Sequence, residues 1–126
     1  MININMDGDI KIVRQGKYDG YEYFVVYVIN CWYCAYVILP EGHKYYGVQY
    51  DSIPIEVHGG LTFSNNHRLV DGKWCIGWDY CHIGDWTPLM PDHLQIDWWG
   101  VPAHKWEPDE IVSDCKYVID QLNGKD

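Results

Sequence analysis

Residues 21–39 leave this chain little choice. Tyr23-Phe24-Val25-Val26-Tyr27-Val28-Ile29 and Cys31-Trp32-Tyr33-Cys34-Ala35-Tyr36-Val37-Ile38-Leu39 are dominated by β-branched and aromatic residues and end at Pro40. Such side chains are stiff at χ1 and suit a pleated, buried surface better than a helix. Both faces of the run are apolar, which places it at the centre of a sheet covered on both sides. With only Asn30 between the halves, one long bent strand and two strands with a tight break both satisfy the pattern.

The rest of the chain supplies neighbours for that centre. Ile10-Lys11-Ile12-Val13 alternates as a short strand closed at Gln15-Gly16. Ile53–Val57 reads as a strand that Pro54 marks as an edge or a late start. His58-Gly59-Gly60 breaks it, and Leu61-Thr62-Phe63 can resume it beyond a bulge. Asn65-Asn66-His67 and Asp71-Gly72 are turn chemistry. Lys73–Tyr80 is the next strand, with Trp74, Ile76, Trp78 and Tyr80 on one face and Cys75, Gly77, Asp79 and Cys81 on the other. Residues 83–106 hold three prolines and four tryptophans without a clean period. They read as a long packed loop with a short helix near Pro91–Trp98.

Glu107-Pro108-Asp109-Glu110 then opens a helix, with proline at the first helical position and carboxylates at the positive end of the dipole. Ile111, Val112, Cys115, Val118, Ile119 and Leu122 form one apolar stripe, and Asn123-Gly124 ends it. The expected architecture is one α+β domain over residues 1–126: a twisted antiparallel sheet of five or six strands with the C-terminal helix on one face.

Charge narrows the partners. The chain has 126 residues and a net charge of −9, so duplex nucleic acid and anionic membranes are poor targets, both of which call for a basic patch. A single phosphate can still be held by glycine amides and one or two cations. The five cysteines are an odd number. Met1-Ile2-Asn3-Ile4-Asn5 has no basic and apolar leader, so reduced thiols and a cytoplasmic location are expected. The longest apolar run, Phe24–Ile29, is too short to span a bilayer.

Chemistry concentrates between Val57 and Trp86. Paired glycines after a strand, as in His58-Gly59-Gly60, can present backbone N–H groups to an anion, or merely form a bulge. In Asp79-x-x-His82-x-x-Asp85, carboxylate, imidazole and carboxylate converge if the chain turns after Asp79, which suits acid–base work or a hydrogen-bonding clamp. The plain alternative makes both aspartates turn formers. Cys31-x-x-Cys34 reads as two ordinary thiols, since i and i+3 on a strand face opposite ways. Cys75, Cys81 and His82 lack any standard zinc spacing, so no metal or other cofactor is expected. No nucleophile elbow, P-loop or dinucleotide fingerprint occurs, which argues against covalent catalysis.

Three segments carry a resemblance: Pro40-Glu41-Gly42-His43-Lys44-Tyr45-Tyr46-Gly47, Val57-His58-Gly59-Gly60-Leu61-Thr62, and Gly77-Trp78-Asp79-Tyr80-Cys81-His82-Ile83-Gly84-Asp85. With the C-terminal amphipathic helix, they resemble the pattern of a family of small phage and prophage proteins over roughly residues 22–122. Phe63 departs from it, standing where tyrosine is usual. The resemblance implies a phage-borne origin, hence a host-cell cytoplasm, and draws His43 and Tyr46 towards the site.

The expected function is capture of a small nucleotide-type ligand, such as a nucleotide-derived immune signal sequestered for counter-defence. Trp78, Trp86 or Tyr46 would stack a base, and His58, Gly59 and Gly60 would meet phosphate. Asp79 or Asp85 would take sugar hydroxyls, with His43, Thr62 and His82 completing the wall. The alternatives are a hydrolase of such a nucleotide, with His58 and His82 as base and acid and a metal on Asp79 and Asp85, and a module whose tryptophan-rich loop docks on a host protein. Self-association is compatible with each of them.

Overall fold

A computed structural model describes residues 9–125; the reading of residues 1–5 as leaderless falls outside that range. Five strands and one helix form the domain: β1 (Ile10–Tyr18), β2 (Tyr21–Val28), β3 (Trp32–Ile38), β4 (Phe63–His67), β5 (Lys73–Asp79) and α1 (Pro108–Leu122). The sheet order is β1-β2-β3-β5-β4, with every pair antiparallel. The expected α+β fold with a C-terminal helix packed on the sheet is what the chain forms.

The break at Asn30 makes two strands. Asn30 has φ 61, a left-handed conformation that asparagine tolerates, and Cys31 N–H donates to the Val28 carbonyl (2.9 Å) to close the turn. β3, with β2 and β5 on either side, is central, as the doubly apolar run requires. One face carries Tyr23, Val25, Ala35, Val37, Ile76, Trp78 and Tyr80 against Ile111, Cys115, Val118, Ile119 and Leu122 of α1. The other holds a smaller cluster of Phe24, Val26, Ile38 and Cys75 with Leu69 and Val70. At the start of α1, Glu107 N–H donates to the Glu110 carboxylate (2.8 Å), the returning half of a capping box.

Three segments differ from expectation. β1 does not close at Gln15-Gly16; it runs through an irregularity between Ile12 and Arg14 to turn at Asp19-Gly20. Ile53–Val57 forms no strand. Glu56 bonds to the helix instead, where Gln121 accepts from Glu56 N–H (2.8 Å) and donates to the Glu56 carbonyl (2.7 Å). Asn65-Asn66-His67 is strand, not turn: on an edge strand Asn65 and Asn66 stay exposed while His67 is buried. The short helix near Pro91–Trp98 is one 3-10 turn, Asp92–Leu94. No helix among the described residues is long and apolar enough to cross a membrane.

Candidate functional site

Strand register brings the two histidine segments together. In the β4–β5 ladder Phe63 faces Gly77, and Thr62 N–H extends it with a 2.9 Å bond to the Gly77 carbonyl. Residues just before β4 and just after β5 must therefore leave the sheet at one end. His58 and His82 do so, with ring centroids 5.5 Å apart.

Asp85 is the hub between them, its side chain only 2% exposed. His58 Nε2 reaches both Asp85 oxygens, at 2.8 and 2.9 Å, and Trp106 Nε1 donates to one of them (2.8 Å). The other accepts from the His82 backbone N–H (2.9 Å) and lies 3.3 Å from His82 Nδ1. Burial alone would raise the Asp85 pKa, but the donors from His58, the His82 amide and Trp106 outweigh it and hold the carboxyl below its ordinary value. His58 answers in kind: its bond to Asp85 raises its pKa, against an opposing push from burial. The His58 ring lies flat on Tyr80, with centroids 4.9 Å apart and planes 6° apart, and it also touches Trp106. Tyr80 OH donates to Asp114 on α1 (2.6 Å) and accepts from Trp78 Nε1 (2.9 Å), tying the floor of the site to the core.

His82 stands on the open side. Its Nε2 is 3.7 Å from Asp79 Oδ1, and the other Asp79 oxygen accepts from Thr62 Oγ1 (3.1 Å). Room for the ring comes from Gly59, at φ 69, where an added Cβ would lie 2.3 Å from His82 Cε1. Gly60 N–H donates to the Val57 carbonyl (2.8 Å). The glycine pair is therefore a turn and a seat for an imidazole, rather than the expected row of amides awaiting phosphate.

Two cavities flank this cluster. One, of about 490 Å³, has His82 and Asp85 in its wall with Trp32, Ile96, Asp97 and Trp98. Gln95 and Thr87 also border it, but their polar atoms brace the loop: Thr87 Oγ1 donates to the Cys31 carbonyl (2.5 Å) and Gln95 Nε2 to the carbonyls of Thr87 and Met90. The other, of about 340 Å³, shares Trp32 and adds Tyr27, Tyr33, Tyr80, Trp86 and Trp106. Lys105 Nζ sits over the Trp86 ring there, 4.6 Å from its centroid.

Not every residue expected at the site is near it. Trp78 is 1% exposed among core side chains and closed to any ligand. His43 packs against Tyr21, with its Nδ1 accepting from Tyr45 N–H (3.1 Å). Tyr46 lies against Trp74, at the opposite end of β5 from Tyr80, and lines a separate cleft of about 440 Å³. Trp32, Tyr80 and Trp106 join the site without having been singled out from the sequence. The bridge between Asp85 and His104 that delivers Trp106 is tertiary and leaves no mark in local spacing.

All five cysteines are free thiols, and burial pushes Cys34 up to about 11. Cys31 sits in the turn before β3, so the strand argument used for the Cys31–Cys34 pair covers only its second member. His58, His82 and Asp85 each offer a donor atom within 4.8 Å of the others, a span that suits one bound proton network or one ion. The chain matches no protein-family model, no curated protein and no solved structure.

Proposed function

We propose that the chain binds a small molecule with a flat ring and hydrogen-bonding hydroxyls, of nucleoside or nucleotide type, at the His82 end of the sheet. The carrying observation is the cavity of about 490 Å³ beside His82, walled by Trp32, Ile96 and Trp98 and edged by carboxylates. That volume falls within the range of ligand sites, and the lining has their usual balance of apolar wall and few polar groups. Asp97, in that wall, can accept from a sugar hydroxyl. Phosphate is the less favoured part, because Gly60 has its amide in a turn and Lys105 is the cation of the adjoining cavity. Holding such a molecule, as a counter-defence sponge would, needs slow release and no turnover.

Titration calorimetry with nucleosides, cyclic dinucleotides and cyclic ADP-ribose isomers tests this reading. Saturable heat that Trp32→Ala abolishes supports it, and no heat with any of them overturns it. Denaturing the complex and chromatographing the ligand then separates holding from cutting: intact recovery means a binder, a new peak a hydrolase.

A second reading has its own support. Of the twelve large hydrophobic side chains exposed among the described residues, eight lie between Ile83 and Val101, with Trp98 79% and Trp99 88% exposed. Apolar groups gathered in this way mark a docking surface more often than chance. A second copy of the chain is the simplest partner, and sedimentation analysis across concentrations tests it. A strictly monomeric wild type counts against that partner.

A further inference from the structure

The side chains around Asp85 have a use that hydrogen bonding does not exhaust. We infer that His58, His82 and Asp85 form a binding site for one divalent transition-metal ion of the zinc class, with a coordination position open to the cavity beside His82. This goes against the expectation from sequence, where no standard zinc spacing occurs. The spacing is irregular because the ligands come from two segments that meet only through the β4–β5 register.

Four observations carry the inference. His58, His82 and Asp85 each offer one donor atom, all within 4.8 Å of one another, and the nitrogens facing Asp85 are His58 Nε2 and His82 Nδ1. Donors held about 2.0–2.2 Å from a tetrahedral ion stand about 3.3–3.6 Å apart. The present separations to one Asp85 oxygen, 2.9 Å from His58 and 3.3 Å from His82, are within about half an ångström of that range. Next, the outer groups that a metal site needs are built. Trp106 fixes Asp85 by a 2.8 Å bond, while Tyr80 fixes the plane of the His58 ring. If His82 binds through Nδ1, its other nitrogen faces Asp79 at 3.7 Å, the carboxylate–histidine relay that orients metal-bound imidazoles. Third, Gly59 leaves free the space that the His82 ring occupies beside Asp85, where any Cβ would collide with it. Fourth, three protein ligands leave one tetrahedral position, and His82 and Asp85 both line the same cavity. Two imidazoles with one carboxylate favour zinc, cobalt or iron(II) over calcium and magnesium, which prefer all-oxygen shells.

The site stands on these side chains and does not depend on which organic ligand the cavity takes. It does deepen that reading, since a ligand oxygen or nitrogen would complete the coordination.

The test is cobalt(II) titration of chelator-treated protein without a polyhistidine tag, followed in the visible d–d region and then displaced with zinc. The expected result is one cobalt per chain with the intense bands of a four- or five-coordinate ion, lost in both His58→Gln and His82→Gln with unchanged circular dichroism. Asp79→Asn should keep the bands but weaken zinc about 10–100-fold, and His93→Gln should change nothing. Magnesium and calcium should not compete. Should the histidine variants unfold, the wild type still decides: on adding zinc, the imidazole nitrogen resonances of His58 and His82 must shift while those of His43 and His67 stay. Absent bands in folded wild type, bands that survive both histidine substitutions, or shifts at other histidines would each overturn the site. Absent cobalt bands with ligand heat persisting would mean that the metal site fails while the cavity reading stands.

Discussion

Gly59 and Gly60 offer a controlled experiment inside the chain. Both have positive φ, 69 and 78, so replacing either with alanine forces a Cβ into the left-handed region at a cost of about 1–2 kcal/mol. They differ in what that Cβ meets. At Gly60 nothing lies within 4 Å, whereas at Gly59 three His82 ring atoms lie at 2.3, 2.6 and 2.8 Å. The ring is the mobile end of a side chain and can swing towards solvent, so the backbone need not distort. What is lost is its contact with Asp85, worth about 0.5–1.5 kcal/mol as a net hydrogen bond. Gly59→Ala should thus destabilise by about 1.5–3.5 kcal/mol and Gly60→Ala by about 1–2 kcal/mol. The difference amounts to about 2–6 °C in melting temperature for a domain of this size. Thermal melts of both variants measure it, with the His82 ring resonances as a local reporter. Equal melting temperatures with unmoved His82 signals would show that Gly59 does not seat the imidazole, and the geometry drawn for the site would be wrong.

Four further outcomes are expected. His43 and His67 are held below their ordinary pKa by burial, so their contribution is intact above about pH 6.5 and falls as pH drops through that value towards the folded-state pKa; His67→Gln should flatten this acid-side loss in melts against pH. His58 runs the other way in chelator-treated protein: raised by Asp85, its contribution is full below about pH 6.5 and disappears as pH climbs through the folded-state value, a decline that His58→Gln should remove. Indistinguishable profiles for wild type and both variants would refute these assignments. Trp106→Phe keeps a ring against His58 but deletes the donor to buried Asp85, and urea unfolding should show a loss of about 1.5–3 kcal/mol. Trp98→Ser and Trp99→Ser should each leave stability within about 0.5 kcal/mol of wild type, since both side chains are largely in water, while lowering ligand heat or self-association.

How much of this was legible depended on range. Pro108, the acidic first turn and the stripe from Ile111 to Leu122 encode α1 locally, and the chain forms it over Pro108–Leu122. The run through β2 and β3 announces the sheet centre in the same way. The convergence of Asp79, His82 and Asp85 follows from one turn, so it too could be read from spacing. Failures began where a distant partner decides. Glu56 found its hydrogen bonds in Gln121 rather than in a neighbouring strand. Asn65 and Asn66 look like turn residues, yet they pair with Cys75 and Trp74 because an edge strand tolerates polarity on its outer side. Trp78 has the composition of a stacking surface, but the period of two in β5 sends it to the helix face. His43 and Tyr46 came by resemblance alone, and the fold carries Tyr46 to the far end of β5.

The strand order has a consequence for how occupancy is felt. β5 is translated after β4 yet slots between β3 and β4, so its ladder to β3 joins partners as far apart in sequence as Cys34 and Asp79. Such distant pairing closes late and slowly compared with the β1–β2–β3 meander. The His58–Asp85–His82 end exists only after that insertion, so a guest seated there holds shut the last seam of the sheet. Amide hydrogen exchange in β3 and β5 should then slow throughout their length on binding, and not merely beside the guest.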